Sequence, residues 1–277
     1  MSSFAFDLSL EDTLKSIYLE WLSSRTFLEA YNTLSVSSKN IEASLNLIAT
    51  TADYKTSKEI LDRLNTEFLK INVCFEETDK AMPQKYPDSG IVYAEADLLI
   101  YVYVNKRFFD ILNKKDKSLI KQLSEDIFKI YSHEITHVEQ NQKQKINQPT
   151  LLPPQNSSLS ERDRYLSNVQ EIDAHAREVA SALLLKNIDK KEIEKLLTTH
   201  SGALDLSKQN KTFSLYYQTY GICLNIPRKA LDSDTKWRVK IFNRFKKRIC
   251  DFLMLDISFI LKEDYFLRIT SFNKERF

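Results

Sequence analysis

The run Lys117–Gln140 constrains this chain more than any other stretch. Leu119, Ile120, Leu123, Ile127, Ile130, Tyr131 and Ile135 recur at helical spacing, so the segment is expected to be an amphipathic helix with one face in a core. The end of that helix reads Tyr131-Ser-His-Glu-Ile-Thr-His-Val-Glu-Gln140 and contains an H-E-x-x-H pattern. Residues four apart on a helix lie one turn above each other, so His133 and His137 project from one face and can grip a single ion. Glu134 sits on the edge of the same face. A metal held in this way lowers the pKa of a bound water, and an adjacent carboxylate can take the proton.

Two imidazoles need a third protein ligand, with one position left for water. The run Ser167–Leu183 supplies Glu171, Asp173, His175 and Glu178. Glu171 and His175 are four apart and share a helix face that also includes Glu178. Glu171 is the preferred third ligand, and His175, one turn on, is placed to hydrogen-bond a ligand or substrate. Asp173 lies on another face and is the weaker candidate.

These two segments together resemble the gluzincin branch of zinc metallopeptidases. More narrowly, H-E-I-T-H-V-E-Q followed by Y-L-x-x-x-x-E-I-D-A-H-A is similar to small metallopeptidase-like proteins of phages and bacteria. The likeness is confined to about Tyr131–Gln140 and Tyr165–Ala176. It implies a zinc ion on His133, His137 and Glu171, Glu134 as general base, and a peptide or protein as substrate. Gluzincins often carry an acidic residue four after the third ligand, and here that place holds His175. The metzincin pattern fails, because Gln140 and Lys143 stand where its glycine and third histidine would fall. An oxyanion donor is also needed, for which Tyr216, Tyr217, Tyr220 and His200 are candidates.

Few helix breakers occur: three glycines and six prolines in 277 residues, 43% of them hydrophobic. The expected class is α+β and predominantly helical, zincin-like, with a small sheet beside the motif helix and a helical C-terminal half. Helices are expected at Leu8–Leu34, Ile41–Thr50, Ser57–Leu69, Phe108–Leu112, Arg162–Leu185, Lys190–Leu197, Phe213–Leu224 and Thr235–Leu261, with a break at Ser201-Gly202. Alternation over Ile71–Phe75 and β-rich runs at Ile91–Ala94 and Leu98–Val104 predict about three strands. Ala81–Gly90, with Pro83, Pro87 and Gly90, reads as a turn region, and the sheet would offer an edge to an extended peptide. The polar, proline-containing stretch Asn141–Ser160 is expected to be a loop over the cleft. Two domain divisions fit: N-terminal helices over 1–70 with a metallopeptidase domain over 71–277, or one domain over 1–277.

Forty basic and thirty-eight acidic residues leave a formal charge of +2, which carries no global attraction to nucleic acid or membrane. Lys236–Arg248 is basic with interleaved aromatics, but its apolar stripe favours a core-facing helix with solvated lysines. Cys74, Cys223 and Cys250 show no ligand spacing and read as buried thiols in a reducing compartment. No signal peptide or membrane span is visible, so the expectation is a cytoplasmic protein, virion-associated if phage-encoded. The alternative to an enzyme is a structural or interaction protein that keeps a zincin-like metal-binding fold.

Overall fold

The computed structural model describes residues 27–50, 56–68, 73–81, 83–97, 99–142, 160–186, 188–221 and 232–255. The expected helix start at Leu8, residues 143–159 of the expected loop Asn141–Ser160, Cys223 and residues beyond 255 lie outside them, while Asn141 and Gln142 belong to a helix and Ser160 caps the next. The described chain is predominantly helical with one small three-stranded sheet, an α+β arrangement.

Helix α1 (Phe27–Thr50) and α2 (Ser57–Phe68) come first. Separate helices were expected on either side of Ser35–Asn40, but α1 runs through that stretch. Serine has modest helix propensity, yet the stretch holds no glycine or proline, and the packing of Ile41, Leu45 and Ile48 overrides the weak local preference.

Strand β1 (Val73–Glu77) buries Val73 and Phe75, while Cys74 on its other face is half-buried rather than buried as expected. Strands β2 (Ile91–Ala96) and β3 (Ile100–Val104) complete a sheet of order β1-β3-β2. β1 is parallel to β3, and β2 antiparallel to it. The outer edge of β1 is clamped by Asn65 of α2, which accepts from Phe75 N at 2.7 Å and donates to Phe75 O at 3.1 Å. Both backbone groups would otherwise be open to strand addition.

The predicted turn at 81–90 holds more order than a turn. Lys85 N donates to Val92 O at 2.8 Å, and Tyr86 and Ile91 exchange backbone bonds at 3.1 Å, so Lys85-Tyr86 covers the start of the outer edge of β2. A short 3-10 turn, Pro87–Ser89, ends at Gly90 with φ 70°, the left-handed region that favours glycine. A side chain at Gly90 would also strike the backbone of Arg107 and Phe108. The edge left open to strand addition is therefore shorter than β2 itself.

Asn105 caps α3 (Lys106–Lys114), accepting from Arg107 N at 2.9 Å, and the motif helix α4 (Lys117–Gln142) follows. The helix expected over Arg162–Leu185 is two: α5 (Glu161–Leu166) and α6 (Val169–Leu185). Asn168 breaks it, adopting an extended backbone and accepting from Gln170 N. Then come α7 (Lys190–Thr198), α8 (His200–Gln209) and α9 (Lys211–Tyr220). The chain breaks at Thr199 rather than at Ser201-Gly202. Thr199 accepts from Gly202 N, and a Cβ at Gly202 would collide with Lys195 O and Leu196 Cα, so this glycine permits α7 and α8 to meet closely. The last described helix is α10 (Ser233–Phe252).

Two buried apolar clusters divide the described residues. One joins α1, α2, the sheet, α3 and α4, from Ile41 to Val138. The other joins α5 to α10, from Leu166 to Leu255. Helices α4 and α6 pack along one another at the seam, and α10 lies against the other side of α6. As expected, α10 faces the core with Ile241, Phe245 and Ile249. Its Lys246 is not solvated but buried, and burial pushes its ammonium down to about 7. No helix among the described residues is long and apolar enough to cross a membrane.

Candidate metal centre

His133 and His137 emerge from α4 one turn apart, and Glu171 meets them from the first turn of α6. His133 Nε2 and His137 Nε2 are 3.2 Å apart. Glu171 Oε2 lies 3.6 Å from His133 Nε2, and Glu171 Oε1 lies 3.6 Å from His137 Nε2. Tetrahedral zinc with bonds of about 2.0–2.1 Å puts its ligand atoms about 3.3–3.4 Å apart, so these separations match a single shared ion.

The hydrogen bonding around the triad leaves acceptors at its centre. His137 Nδ1 pairs with Gln140 Oε1 at 3.0 Å, and Gln140 in turn donates to Gln170 O at 3.2 Å. An amide oxygen only accepts, so His137 carries its proton on Nδ1 and turns a lone pair inward from Nε2. His133 Nδ1 faces Glu178 Oε2 at 3.5 Å, which favours the same tautomer. Two imidazole lone pairs then converge with the carboxylate of Glu171, whose Oε2 is buried without a hydrogen-bond partner. Acceptors gathered with no donor between them fit a cation.

Glu178 is fixed from several sides. Thr212 Oγ1 donates to its Oε1 at 2.7 Å, and the hydroxyl of the half-buried Tyr86 does so at 3.4 Å. Its spacing of seven from Glu171 puts it two turns further along the same face, where it fills the orienting place that the sequence pattern left with His175. Burial alone would raise the carboxyls of Glu171 and Glu178. His133 with Tyr165 and His137 for Glu171, and His133 with Lys85 for Glu178, outweigh it and hold both at about 2. For His133, burial works downward, but the two carboxylates prevail and raise it.

His175 is placed differently from the expectation that it would bond a ligand or substrate. Its ring stands edge-on to His133 with centroids 4.6 Å apart, and its Nδ1 meets the Tyr216 hydroxyl at 3.2 Å. That hydroxyl donates to Leu166 O at 3.1 Å, so it accepts from His175. Burial lowers His175 to about 3 and keeps it neutral. His133, His175 and Glu178 form a second, wholly buried group able to hold an ion. Because Glu178 already accepts two hydroxyl bonds, its geometry suits orientation of His133 better than a separate ligand set.

Glu134 is buried beside the triad, with Lys85 Nζ 3.5 Å from its Oε1. Of the oxyanion candidates, Tyr220 is a core residue, 1% exposed, with its hydroxyl on Asp163 O at 2.8 Å. Tyr216 is committed as described. The His200 side chain lies outside the described residues. Sequence reasoning missed Tyr165, which is 51% exposed and stands edge-on to His175 with ring centroids 6.1 Å apart. The signal was its place six residues before Glu171, close enough for the short α5 to fold it back over the ligand. Asp173 points away from the triad, with Arg248 Nε 2.9 Å from its Oδ1 and Arg244 at 3.8 Å.

Comparison of the chain with protein-family models, with curated proteins and with solved structures gave no match.

Proposed function

We propose that this chain is a zinc-dependent hydrolase acting on peptides, zincin-like in fold, with His133, His137 and Glu171 as metal ligands and Glu134 as general base. The observation that carries the reading is the convergence of three acceptor side chains at metal-ligand spacing, with a carboxylate next in the chain to one of them. A divalent ion held there would polarise a carbonyl and acidify an attacking water.

The protein's own groups supply the rest. Glu134 accepts the proton of the water and returns it to the leaving nitrogen. Tyr165, half-exposed beside His175, donates a hydrogen bond to the oxygen that gains charge. Glu178 and Gln140 hold the imidazoles of His133 and His137 with their Nε2 atoms inward. His175 and Tyr216 pack behind His133 and fix its ring plane.

Glu134→Gln tests the mechanism. It should bind zinc as the native protein does and lose about 10²–10⁴-fold in peptide cleavage, the range of a positioned general base. Unchanged cleavage, followed by mass spectrometry of a peptide mixture, would sink it. The burial of His133 and Glu134 favours a second reading, a metal site that serves stability or partner binding. That reading takes over if zinc raises Tm while no peptide is cut.

A further inference from the structure

A lysine stands in the proposed site with no part in the mechanism so far. Lys85 is carried there by backbone, not by chance rotamer. Its N–H is bonded to Val92 O, and Pro83 and Pro87 bracket the short segment that presents it. Its side chain is 30% exposed where that of Glu134 is 6% exposed, so the ammonium lies between solvent and the base. It is also the basic group whose charge acts on His133, His175 and Glu178 together. An ammonium has three donors and no acceptor. Contact with one oxygen of Glu134 leaves it capacity for another anion.

Where that anion would sit follows from the chemistry, and this step rests on the hydrolase reading. The carboxylate that returns a proton to the leaving nitrogen must touch that nitrogen, so a group in contact with Glu134 lies on the leaving side of the substrate. Bonds of about 1.46 and 1.52 Å place the carboxyl carbon of a departing amino acid about 2.5 Å from its nitrogen. Lys85, 3.5 Å from Glu134, is within reach of it. We propose that Lys85 receives the free α-carboxylate of a single departing residue, which makes the chain selective for the C-terminal peptide bond. An acidic side chain on that residue offers the same chemistry from a second source.

The test uses zinc-loaded protein and acetylated dipeptides that end in a free acid or an amide, with a neutral or an acidic last residue. The expected result is that kcat/KM for the neutral acid exceeds that for its amide about ten- to hundredfold, the range of one charged hydrogen bond, chiefly through KM. In Lys85→Met, at unchanged Tm and zinc content, the ratio should fall to near one, and Lys85→Arg should keep most of it. Equal rates on acid and amide overturn the proposal, as does a preference that survives Lys85→Met or one that follows the acidic side chain alone.

If a peptide mixture is cut and no dipeptide is, the selectivity for the C-terminal bond is overturned and the hydrolase reading stands. If neither is cut, the hydrolase reading fails, and calorimetry with acetyl-phenylalanine and its amide decides on Lys85 separately. Binding of the acid at least about tenfold tighter, abolished by Lys85→Met, supports the assignment. Equal binding of acid and amide, or tight binding of the acid that persists in Lys85→Met, overturns it.

Discussion

Glu171 and Asp173 stand two residues apart on α6 and meet opposite treatment. Asp173 faces α10, where Arg248 and Arg244 approach a single oxygen. Glu171 faces α4, where it meets two imidazole nitrogens. A guanidinium brings its own protons and closes the account of a carboxylate, whereas neutral imidazole nitrogens turned inward bring lone pairs. One side of the helix is therefore a finished ion pair, and the other is a group that could hold a cation. Burial raises Asp173 in spite of its arginines, while for Glu171 the partners prevail over burial.

The contrast can be broken most directly by exchanging losses. Glu171→Ala should abolish one-to-one zinc retention after gel filtration, while Asp173→Ala should keep it. Metal analysis of the two variants reads this, and zinc retained in the first or lost in the second would erase the distinction. A smaller effect is expected at Glu178. With Glu178→Gln, zinc affinity should drop about ten- to hundredfold, as removal of a ligand's orienting carboxylate does. Competition against a chelator measures it, and an unmoved affinity would reduce Glu178 to a buried acid satisfied by Thr212 and Tyr86. The smallest effect belongs to the closed side. Asp173→Asn should cost about 1 kcal/mol, because both arginines remain part-exposed and can rehydrate. That corresponds to about 2–4 °C in Tm, and scanning calorimetry that finds no loss would show the arginines to be indifferent to their partner.

The helix that carries His133 and His137 was legible in the sequence because its signal is local, whereas the break at Asn168 before Glu171 was not. Four-residue spacing puts His133 over His137, and the apolar period of Lys117–Gln140 fixes which face they occupy. The strands were legible through alternation and β-branched runs, although Ile71 and Asn72 lie outside the described residues and β1 continues to Glu77. Contacts made across the chain left no such trace. Lys85 and Tyr86 read as part of a turn, and only pairing with Ile91 and Val92 brings them to Glu134 and Glu178. Glu178 was visible on the ligand face, but its role depends on Thr212, thirty-four residues away. Tyr220 and Tyr165 were indistinguishable as tyrosines near helices. Packing against Tyr216 and Trp237 sends the first into the core, and the short α5 leaves the second at the surface beside Glu171.

The candidate centre lies on the seam between the two apolar clusters, with two ligands from the α4 side and one from α6. An ion bound there would rivet the two halves together. Its binding free energy is spent on cohesion between the halves, and at a hundred times its Kd it adds about 2.7 kcal/mol to that joint. The same ion would couple the opening of one half to the opening of the other. Cooperativity between the clusters would then depend on the metal supply as much as on the polypeptide.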